Sequence, residues 1–410
     1  MNGPTSPFEI PLNVDLISQD LSKKDIANCN LVNSDFHTQF KRHLWHEFKV
    51  SVDKQQYRNK GFSPVYQNAI LENGHLIHKL SIHGEIFGNV FEFIVSSPCE
   101  NLFEIMYIGR RPKEFDPIIG LINRNTFLRS LSLTFRWSNL ANSYRNRLAV
   151  CLSNLPSLTR LCLGDSDNRA TPLEYETLLK CLPKNLQYLK LDWDVAWEAN
   201  VYEEDDHDNG DYGRYPESEK DEKNEDEDKD TGNDDAKPPS NNTKWPEKYF
   251  HLRSVDMSMR LSESENSALF PFLQRCPALE EVKIVGAPYS IFKTVVGLLS
   301  DTRLFPALTK VSVGKFVIDP SSGLLLISGM KGRISALMAE YMTILSSSLF
   351  IGALTTQWAE TLEMLRFNGD VTVSNDDIEL VLTTCPNLKT FSIENKPNGS
   401  YLMANLMAHI

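Results

Sequence analysis

The 410-residue chain has no uninterrupted apolar run approaching the roughly 18 residues of a spanning helix, so no transmembrane segment is expected. Its start, Met1-Asn2-Gly3-Pro4-Thr5-Ser6, has neither a basic nor an apolar signal region, and no signal peptide is expected. Cysteine is sparse: seven residues, an odd number, with no Cys-x-x-Cys. That pattern argues against a secreted disulfide scaffold and against a paired-thiol metal site. The sequons at Asn241 and Asn398 then carry no weight, because the chain is expected in the cytoplasm or nucleus. A Gly-x4-Gly-Lys-Ser/Thr phosphate loop and a Gly-x-Ser-x-Gly elbow are both missing. His75, His78 and His83 lie close in sequence, but no carboxylate or thiol nearby completes a zinc set. No enzymatic activity, cofactor or metal is expected.

An excess of basic residues is also lacking. The formal net charge is −12, and it is concentrated. Between Glu198 and Asp235 there are 18 Asp/Glu against 4 Lys/Arg, a local −14 that leaves the rest of the chain at about +2. No strongly positive domain remains to release counterions from phosphates, which disfavours a nucleic-acid binder. Residues 198–243 contain almost nothing apolar and are expected to be a disordered acidic insertion.

What is present is a repeat. An apolar residue, two variable, an apolar, one variable and an apolar recur as Ile77-Leu80-Ile82, Leu102-Ile105-Tyr107, Leu128-Leu131-Leu133, Leu158-Leu161-Leu163 and Leu186-Leu189-Leu191. The pattern resumes as Leu252-Val255-Met257, Leu279-Val282-Ile284 and Leu308-Val311-Val313, then as Leu362-Leu365-Phe367 and Leu388-Phe391-Ile393. The spacing is 25 to 30 residues except for 66 across the acidic stretch and 54 across one degenerate unit. Helical stripes lie between, at Leu148-Cys151-Leu152, Leu178-Leu179-Leu182 and Ile378-Val381-Leu382. A short strand plus a helix at this period is the leucine-rich-repeat signature. Each unit has an apolar strand face and an apolar helix stripe that only its neighbours can bury, and stacking gives a horseshoe-shaped α/β solenoid. Cys99, Cys276 and Cys385, three residues ahead of their strands, read as small buried hydrophobes. Within the 54-residue gap, Ile334, Leu337, Met338, Tyr341, Met342 and Leu345 have helical spacing. A final stripe, Leu402-Met403-Leu406-Met407, could form a short capping helix.

The first fifty residues do not share this pattern. Their apolar positions suggest three short helices, at about 12–20, after a Ser22 cap supported by Asp25, and at about 33–46. Forty residues cannot build a well-buried core unaided, so this unit implies a partner. Ile10-Pro11, Ile17, Leu21-Ser22, Asp25-Ile26, Leu31-Val32 and Leu44-Trp45 resemble the F-box, the motif that docks a Skp-type adaptor. The sequence departs from the family pattern at Asn13, Asp20, Asn33 and Phe36. The layout resembles the F-box/leucine-rich-repeat family: an F-box over 8–48, then repeats over 70–410 interrupted at 198–243. The resemblance implies the substrate-recognition subunit of an SCF-type cullin–RING ubiquitin ligase. Adaptor contacts would fall on Pro11, Ile17, Leu21, Ile26, Val32, Leu44 and Trp45, with Leu31 and Phe40 inside the helical core.

In the repeat strands, residues between the leucines point to the opposite, concave face. Arg160, Tyr188, Lys190, Asp192, Glu281, Lys283, Lys310 and Arg366 are the candidate substrate contacts, in rows that also include Thr134, Val285, Ser312 and Ser392. Two other functions stay open: a repeat scaffold outside any ligase, and a binder of basic proteins such as histones through the acidic insertion.

Overall fold

The computed structural model describes residues 17–18, 20–51, 64–83, 88–109, 114–135, 142–165, 172–192, 245–246, 248–258, 269–285, 289–314, 317–318, 327–330, 333–344, 347–370, 373–395 and 400–405. Pro11, most of the helix expected at 12–20, and the acidic segment 198–243 lie outside the described residues.

Helices α1 (Lys23–Asn30) and α2 (Ser34–Trp45) lead into strand β1 (Glu47–Ser51). Strand and helix then alternate: α3 (Pro64–Asn73), β2 (Lys79–His83), α4 (Gly88–Ser96), β3 (Glu104–Ile108), α5 (Phe115–Arg124), β4 (Ser130–Phe135), α6 (Asn142–Ser153), β5 (Arg160–Asp165), α7 (Pro172–Lys180), β6 (Tyr188–Asp192). Beyond the acidic stretch come β7 (Ser254–Ser258), α8 (Leu269–Leu273), β8 (Glu281–Val285), α9 (Tyr289–Leu299), β9 (Lys310–Gly314), the two-residue β10 (Val317–Ile318) and β11 (Ala336–Ile344). The order closes with α10 (Ser347–Trp358), β12 (Met364–Asp370), α11 (Asn375–Thr384), β13 (Thr390–Asn395) and β14 (Ser400–Asn405). The strands form one sheet in chain order, parallel until β14, which turns back antiparallel on β13; β10 pairs beside β11. The result is a parallel α/β solenoid.

The register follows from the triplets. Leu131, Leu161 and Leu189 are Cα partners in successive strands, as are Leu133, Leu163 and Leu191, and all six are buried. Period-two alternation sends both rows to the helix side. There α5 supplies Phe115, Ile118, Ile119 and Ile122 at helical spacing, all buried. Burying each such side chain contributes roughly 1.5–3 kcal/mol. The first residue of each triplet closes a turn, and the next two N–H groups donate to the equivalent carbonyl one unit back. Phe103 and Glu104 donate to His78 at 2.8 and 3.2 Å, Arg129 and Ser130 to Phe103 at 2.8 and 3.0 Å, and so on to Lys389 and Thr390 on Glu363. This carbonyl ladder binds each unit to the one before. Side chains add rungs: buried Asn125 accepts from Leu102 N–H at 2.9 Å and donates to Cys99 and Leu121 carbonyls at 3.0 and 2.9 Å.

The sheet corrects several sequence expectations. Residues 336–344 are a strand, not a helix. Leu337 and Ala339 alternate into the core, in register with Val311 and Val313 on one side and Leu365 and Phe367 on the other. Ile334-Leu337-Ala339 is therefore the missing triplet of the 54-residue gap, hidden because alanine fills its last place. A register shift between Glu340 and Met342 places the residues beyond it off simple alternation, which mimics a helical stripe. Neighbouring strands decide such a segment against its local pattern. The solenoid also begins earlier than residue 70. Trp45, Phe48 and Val50 have the triplet spacing; β1 pairs in parallel with β2, and His46 accepts from His78 and Lys79 N–H as the first rung of the ladder. Where a short capping helix was expected after Ile393, β14 is a strand. Leu382 is 40% exposed rather than core, while Val381 is buried and Ile378 half-buried.

The acidic stretch interrupts the chain but not the sheet: Tyr188, Leu189 and Lys190 are Cα partners of Ser254, Val255 and Asp256. The return is fastened by the buried Tyr249 hydroxyl donating to the Leu179 carbonyl, and by Trp245 beneath two cations, Lys180 at 5.5 Å and Arg275 at 5.6 Å.

Candidate functional site

Two surfaces emerge, at the helical end and on the helix-free face of the sheet. At the helical end, Ser22 caps α1, its hydroxyl accepting from Asp25 N–H at 3.2 Å. Asn33 caps α2, accepting from Asp35 and Phe36 N–H at 3.0 and 2.9 Å. Two departures from the F-box pattern thus have local roles: Asn33 is the cap, and Phe36 stacks on Phe40 at 5.7 Å. Ile26 and Phe40 form a small core with Leu21, Cys29, Phe36 and Leu44 packed around it.

The predicted adaptor contacts separate accordingly. Ile26 is core, so it shapes the pair from within rather than presenting a surface. Leu21 and Leu44 are half-buried against that core. Trp45 packs on the solenoid core and stacks on Phe48 at 6.2 Å, because it is the lead residue of the first repeat. Ile17 is at the exposed boundary. Val32 is 64% exposed, and Leu31, expected inside, is 84% exposed: both sit in the turn joining α1 to α2, where neither helix can cover them. Leu31 is a surface residue that the sequence reading misplaced; the Asn33 cap that ends the turn was its signal. Lys23 ties the pair to the sheet, its ammonium 2.9 Å from the Glu47 carbonyl oxygen.

At the same junction the His46 and His78 rings lie 5.1 Å apart, and His78 stacks on Phe103 at 5.0 Å. Burial, then the charges of His78, Lys79 and His43, hold His46 below its ordinary value, against the opposing pull of Glu47.

On the helix-free face, the first and third residues of each strand form two rows. Arg160, Tyr188, Glu281 and Lys310 belong to the first; Cys162, Lys190, Asp256, Lys283 and Ser312 to the third. The Arg160 guanidinium lies over the Tyr188 ring at 4.5 Å. Burial, then Cys162 and Asp256, push the Tyr188 phenol up to about 12, and burial raises the Cys162 thiol, so both stay protonated at neutral pH. Arg366, by contrast, is paired with Glu394 at 3.0 Å. The side chain of Asp192 is outside the described residues. Thr134, Val285, Ser312 and Ser392 are buried and offer no contact surface.

Among the described residues no three of His, Cys, Asp and Glu converge as metal ligands, and no helix is long and apolar enough to cross a membrane. Cys99, Cys151, Cys276 and Cys385 are buried, and burial pushes the Cys151 thiol up to about 12.

No family model matches the chain, and no curated protein matches it in sequence. Among solved structures, the leucine-rich repeat-containing protein LegL7 from Legionella pneumophila aligns with 87% of this chain and 92% of its own, at a TM-score of 0.45 and 11% identity. A chain of the Rad7 and Elc1 complex in yeast aligns with 95% of this chain and 94% of its own, at a TM-score of 0.35 and 11% identity.

Proposed function

We propose that the chain is the substrate-recognition subunit of an SCF-type cullin–RING ubiquitin ligase. It docks a Skp-type adaptor through its N-terminal helices and holds a protein substrate on the helix-free face of the sheet. It works in the cytoplasm or nucleus, needs no cofactor and does no bond chemistry itself. Its contribution is effective concentration, bringing substrate lysines near a charged ubiquitin carrier. The observation that carries this reading is the helical unit itself. Among the described residues its own core is one buried pair, Ile26 and Phe40, yet it leaves Leu31 and Val32 outside. Exposed apolar groups at the tip of a small unit mark an interaction site. The Lys23–Glu47 contact and the Trp45–Phe48 stack then transmit the dock to the solenoid.

The test is co-purification of the full-length chain with a Skp-type adaptor. Wild type is expected to bind, and Leu31→Asp with Val32→Asp, which alters exposed positions only, to lose binding while keeping the circular dichroism spectrum. Absence of adaptor binding by the wild-type chain would overturn the reading.

A further inference from the structure

Resting on the proposal that the helix-free face receives a substrate, we infer that what it receives is a carboxylate-rich peptide segment, anchored on Arg160. The two arginines of this face differ in a way that bears on ligands. Arg366 is already neutralised by Glu394 at 3.0 Å. Arg160 makes no ion pair among the described residues; the carboxylate that acts on it, Glu104, is itself paired with Lys79 at 3.5 Å. Stacking on Tyr188 holds the guanidinium in place without satisfying its charge. An arginine pre-ordered in this way loses little freedom on binding, and its planar fork matches a carboxylate.

The surroundings extend the site. Across β5 to β9 the outward rows carry Lys190, Lys283 and Lys310 besides Arg160; Asp256 lies in register between Lys190 and Lys283, and Glu281 lies beside Lys310. From β5 to β9 is four strand spacings, about 19 Å, the reach of about six extended residues. Cations dispersed over that length suit several separated carboxylates. They do not make the dense cluster that a single phosphate group selects.

The experiment is fluorescence anisotropy of a labelled octapeptide alternating Glu and Gly, its Gln–Gly counterpart and its phosphoserine counterpart, titrated with the full-length chain. No adaptor is present, so the outcome is independent of the ligase reading. A parallel titration uses a chain lacking 198–243, which removes the protein's own carboxylates as competitors. The glutamate peptide is expected to bind about tenfold or more tighter than the glutamine peptide. Arg160→Met should remove about tenfold of that affinity and Arg160→Lys recover part of it, whereas Arg366→Met should change it less than about twofold. Equal binding of the glutamate and glutamine peptides in both chains would overturn the inference. So would wild-type affinity in a folded Arg160→Met protein, or binding of the phosphoserine peptide alone.

Discussion

Replacing Asn125 by leucine, a side chain of similar size, isolates the polar contribution of one rung between repeats. Asn125 is 1% exposed. Its amide satisfies the Leu102 N–H and the Cys99 carbonyl, neither of which water can reach once the side chain is apolar. A buried polar group left unpaired costs about 1–3 kcal/mol. Two such groups set the expected loss at roughly 2–5 kcal/mol, the carbonyl end contributing less because oxygen finds alternative donors more readily. The third contact, to the Leu121 carbonyl at 2.9 Å, lies within the helix and its loss adds little. Urea unfolding followed by circular dichroism measures the total. Hydrogen exchange at the Leu102 amide locates it, since that proton should lose protection before the β6 amides do. Asn123→Leu, two residues away and exposed, should stay within about 0.5 kcal/mol of wild type. A shift below about 0.5 kcal/mol for Asn125→Leu, with Leu102 still protected, would refute the assignment of Asn125 as a necessary rung.

Trp358 is fully buried and donates to the Met330 carbonyl at 3.1 Å, so Trp358→Ala should cost about 3–5 kcal/mol in urea unfolding. Ser312 is buried with a hydroxyl that has no hydrogen-bond partner among the described residues, so Ser312→Ala should raise the melting temperature by removing a desolvated polar group worth about 1 kcal/mol. His46 and His83 titrate below their ordinary 6.5, burial being the largest cause for each. The unfolded chain therefore takes up protons first as pH falls. Stability present above about 6.5 should be lost below it, until the folded-state values are passed, and His46→Gln should flatten that fall in a melting-temperature series. Deleting 198–243 should leave the spectrum and melting temperature nearly unchanged, because β6 and β7 are paired directly.

The solenoid was legible where leucines occupied all three triplet positions. It was not legible at Ile334-Leu337-Ala339, where alanine fills the last place. Nor was it at Trp45-Phe48-Val50, where the repeat overlaps the helical unit and a tryptophan replaces leucine. Both sets look atypical in isolation and become regular only when flanking strands supply partners. Site residues were less legible. Alternation correctly put Arg160, Tyr188 and Lys190 on the outward face. It could not tell that Arg366 is neutralised by the next strand, or that Ser312 is buried. Those outcomes depend on the packing of strands some 27 residues apart, which no local pattern records. At the helical end the Ser22 cap was readable, but the fate of Leu31 turned on where the chain reverses.

The direct pairing of β6 with β7 has a kinetic consequence. Elsewhere each strand meets a partner about 30 residues away, so the array can nucleate at many points and grow by short, inexpensive closures. Between Leu186 and Leu252 the next strand is 66 residues off. Closure entropy rises with the logarithm of loop length, about 0.6 kcal/mol per doubling, so this step starts some 0.7 kcal/mol behind its neighbours. The Tyr249 hydroxyl on Leu179 and the Lys180 contact with Trp245 form only after that closure. The chain should therefore fold as two cooperative blocks that meet at this seam, and under denaturant or mechanical load the seam is where they part.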